Sequence, residues 1–214
     1  MTTMQPPFVV DLSHFDGVRP NGFTLAKAAG VVGVIHKATQ GVDFTDGEYA
    51  TRGPLAKAAG LLWGCYHFNT GDPVKAQVEY FFSVAKPDDQ TLMALDFEDN
   101  TASEMSIEQC AEFLDLADQK LGRKLVLYGG ARIREQLPTA DAETREFIGA
   151  HKLWLSEYGP VANVPAPWAK YFLWQFTGDG TGPDPHDVPG LTNSKGLDVN
   201  VCGSASTLAT DWAS

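Results

Sequence analysis

LAKAAGVVGVIHKAT at residues 25–39 and LAKAAGLLWGCYHF at residues 55–68 begin with the same six residues, and each block runs straight into an apolar stretch of strand length. LAKAAG reads as a helix end, because leucine, alanine and lysine favour the helix and the final glycine accepts the left-handed turn that stops it. The residues that follow are almost continuously apolar, as in a parallel strand covered on both faces. A repeated helix end feeding a repeated buried strand amounts to two βα units.

Working outward, the same alternation predicts strands at residues 7–13 (PFVVDLS), 31–39, 61–68, 91–99 (TLMALDFED) and 124–130 (KLVLYGG). Helices fall between them, the clearest over residues 73–86 and 106–121. After residue 150 the rhythm changes: HKLWLSEY, YFLWQFT and LDVNVC follow one another, separated by loops rich in glycine, proline and aspartate. Five βα units and three closing strands can close an eight-stranded barrel, so the fold class expected is α/β, a single (β/α)5β3 TIM-like barrel over residues 1–214. In such barrels the chemistry sits at the carboxyl ends of the strands.

Composition narrows the classes of function. A chain of 214 residues has room for one domain with a sizeable core. Asp and Glu total 27 against 16 Lys and Arg, a net charge of -11, which argues against nucleic acid and strongly anionic surfaces as partners. No run has membrane-spanning length. Residues 1–7 carry no cationic start and apolar stretch of a Sec leader, so synthesis in a reducing cytoplasm is expected. Cys65, Cys110 and Cys202 are odd in number and widely spaced, which fits inert thiols better than a disulfide framework or a thiolate metal site.

The polar residues at strand ends carry the functional signal. In TLMALDFED, Leu92, Ala94, Asp96 and Glu98 share one face, and Met93, Leu95 and Phe97 the other. Two carboxyls at i and i+2 raise each other's proton affinity, and acid catalysis of glycoside cleavage needs one carboxyl that stays protonated near neutral pH. Asp11 ends the first strand with the parity of Val9, and Asp198 stands where the last strand begins. Lys37, His67, Tyr128 and Gln175 also lie at strand ends, and together they suggest a polar cleft. Each has a plainer reading: a snorkelling lysine, a satisfied core histidine, a space-filling tyrosine, a turn cap for Asp11 or Asp198. Trp154 and Trp174 are either sugar platforms or core.

In order along the chain, VVDLSHFDG at 9–17, IHKATQG at 35–41, GCYHF at 64–68, LDFED at 95–99, LYGG at 127–130, LWLSEYG at 153–159, LWQFTGDG at 173–180 and LDVNV at 197–201 resemble the family 25 glycoside hydrolases, the Chalaropsis-type muramidases. The resemblance implies the same barrel and hydrolysis of the β-1,4 bond from N-acetylmuramic acid to N-acetylglucosamine in peptidoglycan, with no cofactor and no metal. It implies Glu98 as general acid/base, Asp96 as its partner, Asp11 and Asp198 as further catalytic carboxyls, and a retaining reaction in which the nucleophile is the substrate's N-acetyl oxygen or, alternatively, a carboxylate. It also implies Tyr66 as a substrate contact, whereas alternation along that strand points His67 inward instead. Tyr66, His67, Lys37, Tyr128, Trp154 and Gln175 are thus the expected substrate-binding set.

This departs from the family pattern at His36 and in a Pro, Gly and Asp-rich loop over residues 181–193. The setting implied is a phage or prophage endolysin, one catalytic domain with no separate wall-binding module. It would be a monomer made in the host cytoplasm that reaches the cell wall through a partner such as a holin, without inserting in the membrane; an exported effector is the alternative. Two other functions compete: a metal-dependent hydrolase using Asp11, His14, His67, Asp96 and Glu98, and a glycan-binding barrel without catalysis.

Overall fold

Both LAKAAG blocks end helices: α1 (Gly22–Ala28) stops at Gly30, φ 100°, and α2 (Tyr49–Ala58) at Gly60, φ 76°. These left-handed turns suit glycine because it lacks the Cβ that would clash there. Each turn delivers the chain into a barrel strand, β2 (Val31–Gln40) and β3 (Leu62–Phe68). The computed structural model describes residues 5, 7–100 and 103–214. Most of the stretch in which a leader was sought, residues 1–7, lies outside them.

The remaining barrel strands are β1 (Phe8–Leu12), β4 (Leu92–Asp96), β5 (Val126–Gly129), β6 (Lys152–Ser156), β7 (Leu173–Thr177) and β8 (Asp198–Cys202). From β1 to β7 each strand pairs in parallel with the next, and β8 closes the ring by pairing antiparallel with both β7 and β1. The expected five βα units and three closing strands are therefore present as a closed eight-stranded barrel.

The outer layer holds α1 and α2 together with α3 (Val74–Ala85), α4 (Ile107–Leu121), α5 (Ala131–Gln136) and α6 (Ala142–Gly149). In α4 the sequence supplies every boundary signal. Ser106 and Gln109 form a reciprocal capping box, Gly122 at φ 76° ends the helix, and Ile107, Cys110, Phe113, Leu114 and Ala117 form its buried stripe. The expected boundaries at 73–86 and 106–121 shrink by a residue or so, as helix ends do.

Two apolar layers result. Val10, Leu12, Val34, Trp63, Cys65, Met93, Leu95, Leu127, Leu153, Leu155, Trp174 and Phe176 point outward and pack under the helices. Val9, Ile35, Leu92, Ala94, Val126, Tyr128, Trp154 and Leu173 fill the interior. The lower end of the barrel, where β2 and β3 start, is plugged by Leu208 and Trp212 from and just after α7 (Leu208–Asp211). The Trp212 indole N–H donates to the Trp63 carbonyl at 2.7 Å. Trp212→Ala empties this plug and removes that bond, so it is expected to cost about 3–5 kcal/mol, read from urea denaturation.

Cys65 and Cys110 are buried and Cys202 is half-buried, all as free thiols. No helix among the described residues is long and apolar enough to cross a membrane.

Candidate active site

The upper end of the barrel gathers the carboxyl ends of β1 to β7. Because β8 runs the other way, its first residue arrives at the same end, and Asp198 sits directly across from Asp11 in the β1·β8 register. Asp96 closes β4, between Phe68 of β3 and Tyr128 of β5.

Asp11 is buried and fully engaged. Gln175 Nε2 donates to its two oxygens at 3.1 and 3.0 Å, and Asn200 Nδ2 donates to Oδ2 at 2.7 Å. Those donors fix the Gln175 amide so that its Oε1 accepts from the Tyr128 hydroxyl at 2.7 Å. The same hydroxyl lies 3.1 Å from Ser156 Oγ, and Ser156 Oγ in turn is 3.4 Å from Glu98 Oε1. A polar chain therefore runs around the mouth from Asn200 through Asp11, Gln175, Tyr128 and Ser156 to Glu98. It is assembled from five strands and the segment after a sixth.

Glu98 lies two residues past the end of β4 rather than on the strand. Its segment is held by Phe97, whose N–H bonds the Tyr128 carbonyl at 2.9 Å, and by the buried Asn69, whose Nδ2 donates to the carbonyls of Asp96 and Glu98, each at 2.9 Å. Burial raises the proton affinity of Glu98, opposed by the Ser156 and Tyr128 hydroxyls. At Asp96 burial comes first and the Glu98 charge second, and they outweigh Lys37 to hold its proton affinity well above the usual carboxylate range. Among the described residues Asp96 Oδ1 is one of few buried side-chain atoms with no hydrogen-bond partner.

Burial and then the charge of Asp198 also push Asp11 well up, against the pull of Asn200 and Gln175. Asp198 itself is pushed up to about 7 by burial, helped by Asp16 and Asp179. Four carboxyls thus share one mouth, each easier to protonate than in water.

The binding candidates divide. Tyr66 points inward, its ring edge-on to Trp154 at 6.3 Å, with the charges of Asp96, Asp11 and Asp198 acting on its phenol. Lys37 is nearly buried; its Nζ donates to Gln40 Oε1 at 2.7 Å and lies 4.7 Å from the Phe68 ring centroid. Burial makes Lys37 easier to deprotonate, with Asp96 and Asp46 opposing.

His67 corrects the alternation argument. It faces the helices, fully buried, with Thr39 Oγ1 at 2.8 Å from Nδ1, Gln77 Oε1 at 3.0 Å from Nε2 and Phe113 stacked at 5.1 Å. Burial there lowers its pKa to about 4, so it is a neutral core histidine. Trp174 is also on the outer face, donating to the Glu157 carbonyl. Trp154 does face inward, but it is 1% exposed beneath Tyr128 and forms the floor of the mouth, out of reach of a sugar face. The metal set does not assemble either: His67 is outside the barrel and His14 bonds Asp46. Among the described residues no group of three or more His, Cys, Asp or Glu is arranged to hold a metal ion.

Three polar residues at this mouth were missed in the sequence: Asn200, Ser156 and Asn69. The first two share strand parity with Asp198 and Trp154, which was the available signal; Asn69 had none. Asn200 also accepts from Trp154 Nε1 at 2.5 Å. Asn200→Ala leaves that indole without a partner and Asp11 with Gln175 as its one remaining side-chain donor, and a loss of roughly 1–3 kcal/mol is expected in chemical denaturation.

A family model for Glycosyl hydrolases family 25 matches residues 10–184. The chain is 25% identical over 177 residues to an autolytic lysozyme of Clostridium acetobutylicum, covering 82% of this chain and 51% of that protein. It is likewise 25% identical over 186 residues to lysozyme M1 of Streptomyces globisporus, covering 80% and 62%. This chain thus spans between half and two thirds of those relatives. The solved structure of a bacterial lysozyme from Streptomyces coelicolor superimposes with a TM-score of 0.82 at 24% identity, over 98% of each chain, and shares the fold.

Proposed function

Because this chain belongs to glycosyl hydrolases family 25, we propose that it is a lysozyme, hydrolysing the β-1,4 bond between N-acetylmuramic acid and N-acetylglucosamine in peptidoglycan. The observation that carries the reading is the set of four carboxyls, Asp11, Asp96, Glu98 and Asp198, around one open barrel mouth, all with raised proton affinity. Glycoside cleavage asks for a carboxyl that is protonated in water near neutrality, and burial with like charges produces one.

In this reading Glu98 gives its proton to the glycosidic oxygen as the bond to the anomeric carbon breaks. The partnerless Asp96 Oδ1 accepts the N–H of the 2-acetamido group and turns its carbonyl oxygen onto that carbon. The cyclic intermediate carries positive charge, which together with Lys37 favours the ionised form of Asp96 and is stabilised by it. Glu98, now ionised, takes a proton from water as the water opens the ring, so two displacements retain the configuration. The charges of Asp11 and Asp198 act on Asp96, while Tyr66, Lys37, Tyr128 and Gln175 line the cleft. A direct attack by Asp96 on the anomeric carbon would also retain; a substrate lacking the acetamido carbonyl separates the two, because only the assisted route fails on it.

The barrel acts as one catalytic domain, as a monomer on the cell wall, and an endolysin delivered through a holin-type partner fits the reading. The test is a digest of purified peptidoglycan whose fragments are reduced and identified by mass spectrometry. New reducing ends on muramic acid are expected. Reducing ends on glucosamine, freed peptides or no products would sink the proposal.

A further inference from the structure

Three aromatic rings are exposed among the described residues, Phe15 (77%), Phe44 (38%) and Tyr158 (39%), and each follows the mouth end of a strand: β1, β2 and β6. Of the exposed aliphatic side chains, Leu25 and Leu55 lie elsewhere, on α1 and α2, and Val161 follows Tyr158 after β6. Isolated exposed apolar residues are ordinary, but rings gathered beside one cleft mark a surface that something covers.

Phe15 and Phe44 are joined through His14. The His14 ring lies 4.0 Å from that of Phe15 and 5.4 Å from that of Phe44. His14 is fixed from below by the buried Asp46, which accepts from its backbone N–H at 2.8 Å and lies 2.9 Å from its ring Nδ1. The platform is therefore set before any ligand arrives, which lowers the ordering cost of binding. It is also continuous with the acidic mouth: Lys37 Nζ lies 5.3 Å from the Phe44 centroid, and its charge acts on Asp96.

We propose that His14, Phe15 and Phe44 form an outer sugar-binding subsite. It would stack on the apolar face of an N-acetylhexosamine of the glycan strand, away from the bond being cleaved. This rests on the lysozyme reading above. A barrel of eight strands is about 15 Å across at the backbone, and Glu98 follows β4 while Phe15 follows β1, so a disaccharide held at Glu98 stops short of the platform and a longer strand reaches it.

The experiment uses Glu98→Gln protein and two probes, a disaccharide and an octasaccharide of alternating N-acetylglucosamine and N-acetylmuramic acid, with binding measured by calorimetry. Adding Phe15→Ala is expected to weaken the octasaccharide about tenfold and the disaccharide less than about twofold. Phe44→Ala should act in the same direction, and Phe15→Trp should restore the affinity. Unchanged octasaccharide binding, or an equal loss on both lengths, overturns the subsite. Failure of the catalytic reading would appear separately, as turnover by the Glu98→Gln protein.

Discussion

Glu98→Gln protein is expected to lose about 10²–10⁴-fold in kcat on peptidoglycan while melting no lower than the parent at neutral pH, since the amide removes a carboxylate that burial disfavours. Glutamine has the shape of glutamate and preserves the contact with Ser156 Oγ, but it has no acidic proton to give to the leaving oxygen. The parent's raised proton affinity at Glu98 comes first from burial, and that environment is unchanged in the variant. The measurement is the rate of new reducing ends, with thermal unfolding followed in parallel. Activity within a few-fold of the parent would remove Glu98 from the reaction.

The second large effect couples function and stability in opposite directions. Asp96→Asn is expected to lower kcat by about 10²–10³-fold, because the neutral amide cannot stabilise the positive charge of the cyclic intermediate. The same change should raise the melting temperature at pH 7.5. Folding lifts the proton affinity of Asp96 above that of an ordinary aspartate, whose pKa is 3.8, through burial and then Glu98. Above that value the folded chain binds more protons than the unfolded chain, so this carboxyl subtracts from stability as pH rises. Asparagine carries no such dependence. Melts from pH 4 to 8 should show the variant's advantage growing to a few °C with pH and vanishing near pH 4. A variant destabilised at neutral pH, or an advantage independent of pH, would show that Asp96 is not strained by its neighbours. His36 and His67 act the other way, since burial holds both near 4 and stability from them is lost as pH falls from about 6.5 toward 4.

The LAKAAG blocks, the apolar runs and the cap of α4 were legible because their signals are local: a helix end, a buried strand and a capping box each need only neighbours in sequence. The inward parity of Asp96 was legible for a related reason. In TLMALDFED the inner face holds Leu92 and Ala94 before the acids, while Met93, Leu95 and Phe97 form the larger set, and the structure buries that larger set under the helices.

For β3 the same argument failed. A strand covered on both faces is apolar at both parities, so alternation leaves open which set points inward. Volume decides it: Gly64 leaves just enough room beside Leu92 inside the barrel, whereas Trp63, Cys65 and His67 occupy the wider helix layer. That places Tyr66, and not His67, at the mouth.

The sequence by itself determined the elements, their order and the inward parity of Asp96. Only the tertiary structure decided the reversal of β8, which carries Asp198 to the mouth opposite Asp11, and the chain of Asn200, Gln175, Tyr128 and Ser156 linking Asp11 to Glu98. Barrel closure brings residues from β1, β5, β6, β7 and β8 within hydrogen-bonding distance, and contacts between segments so far apart depend on the direction and register of every strand between them.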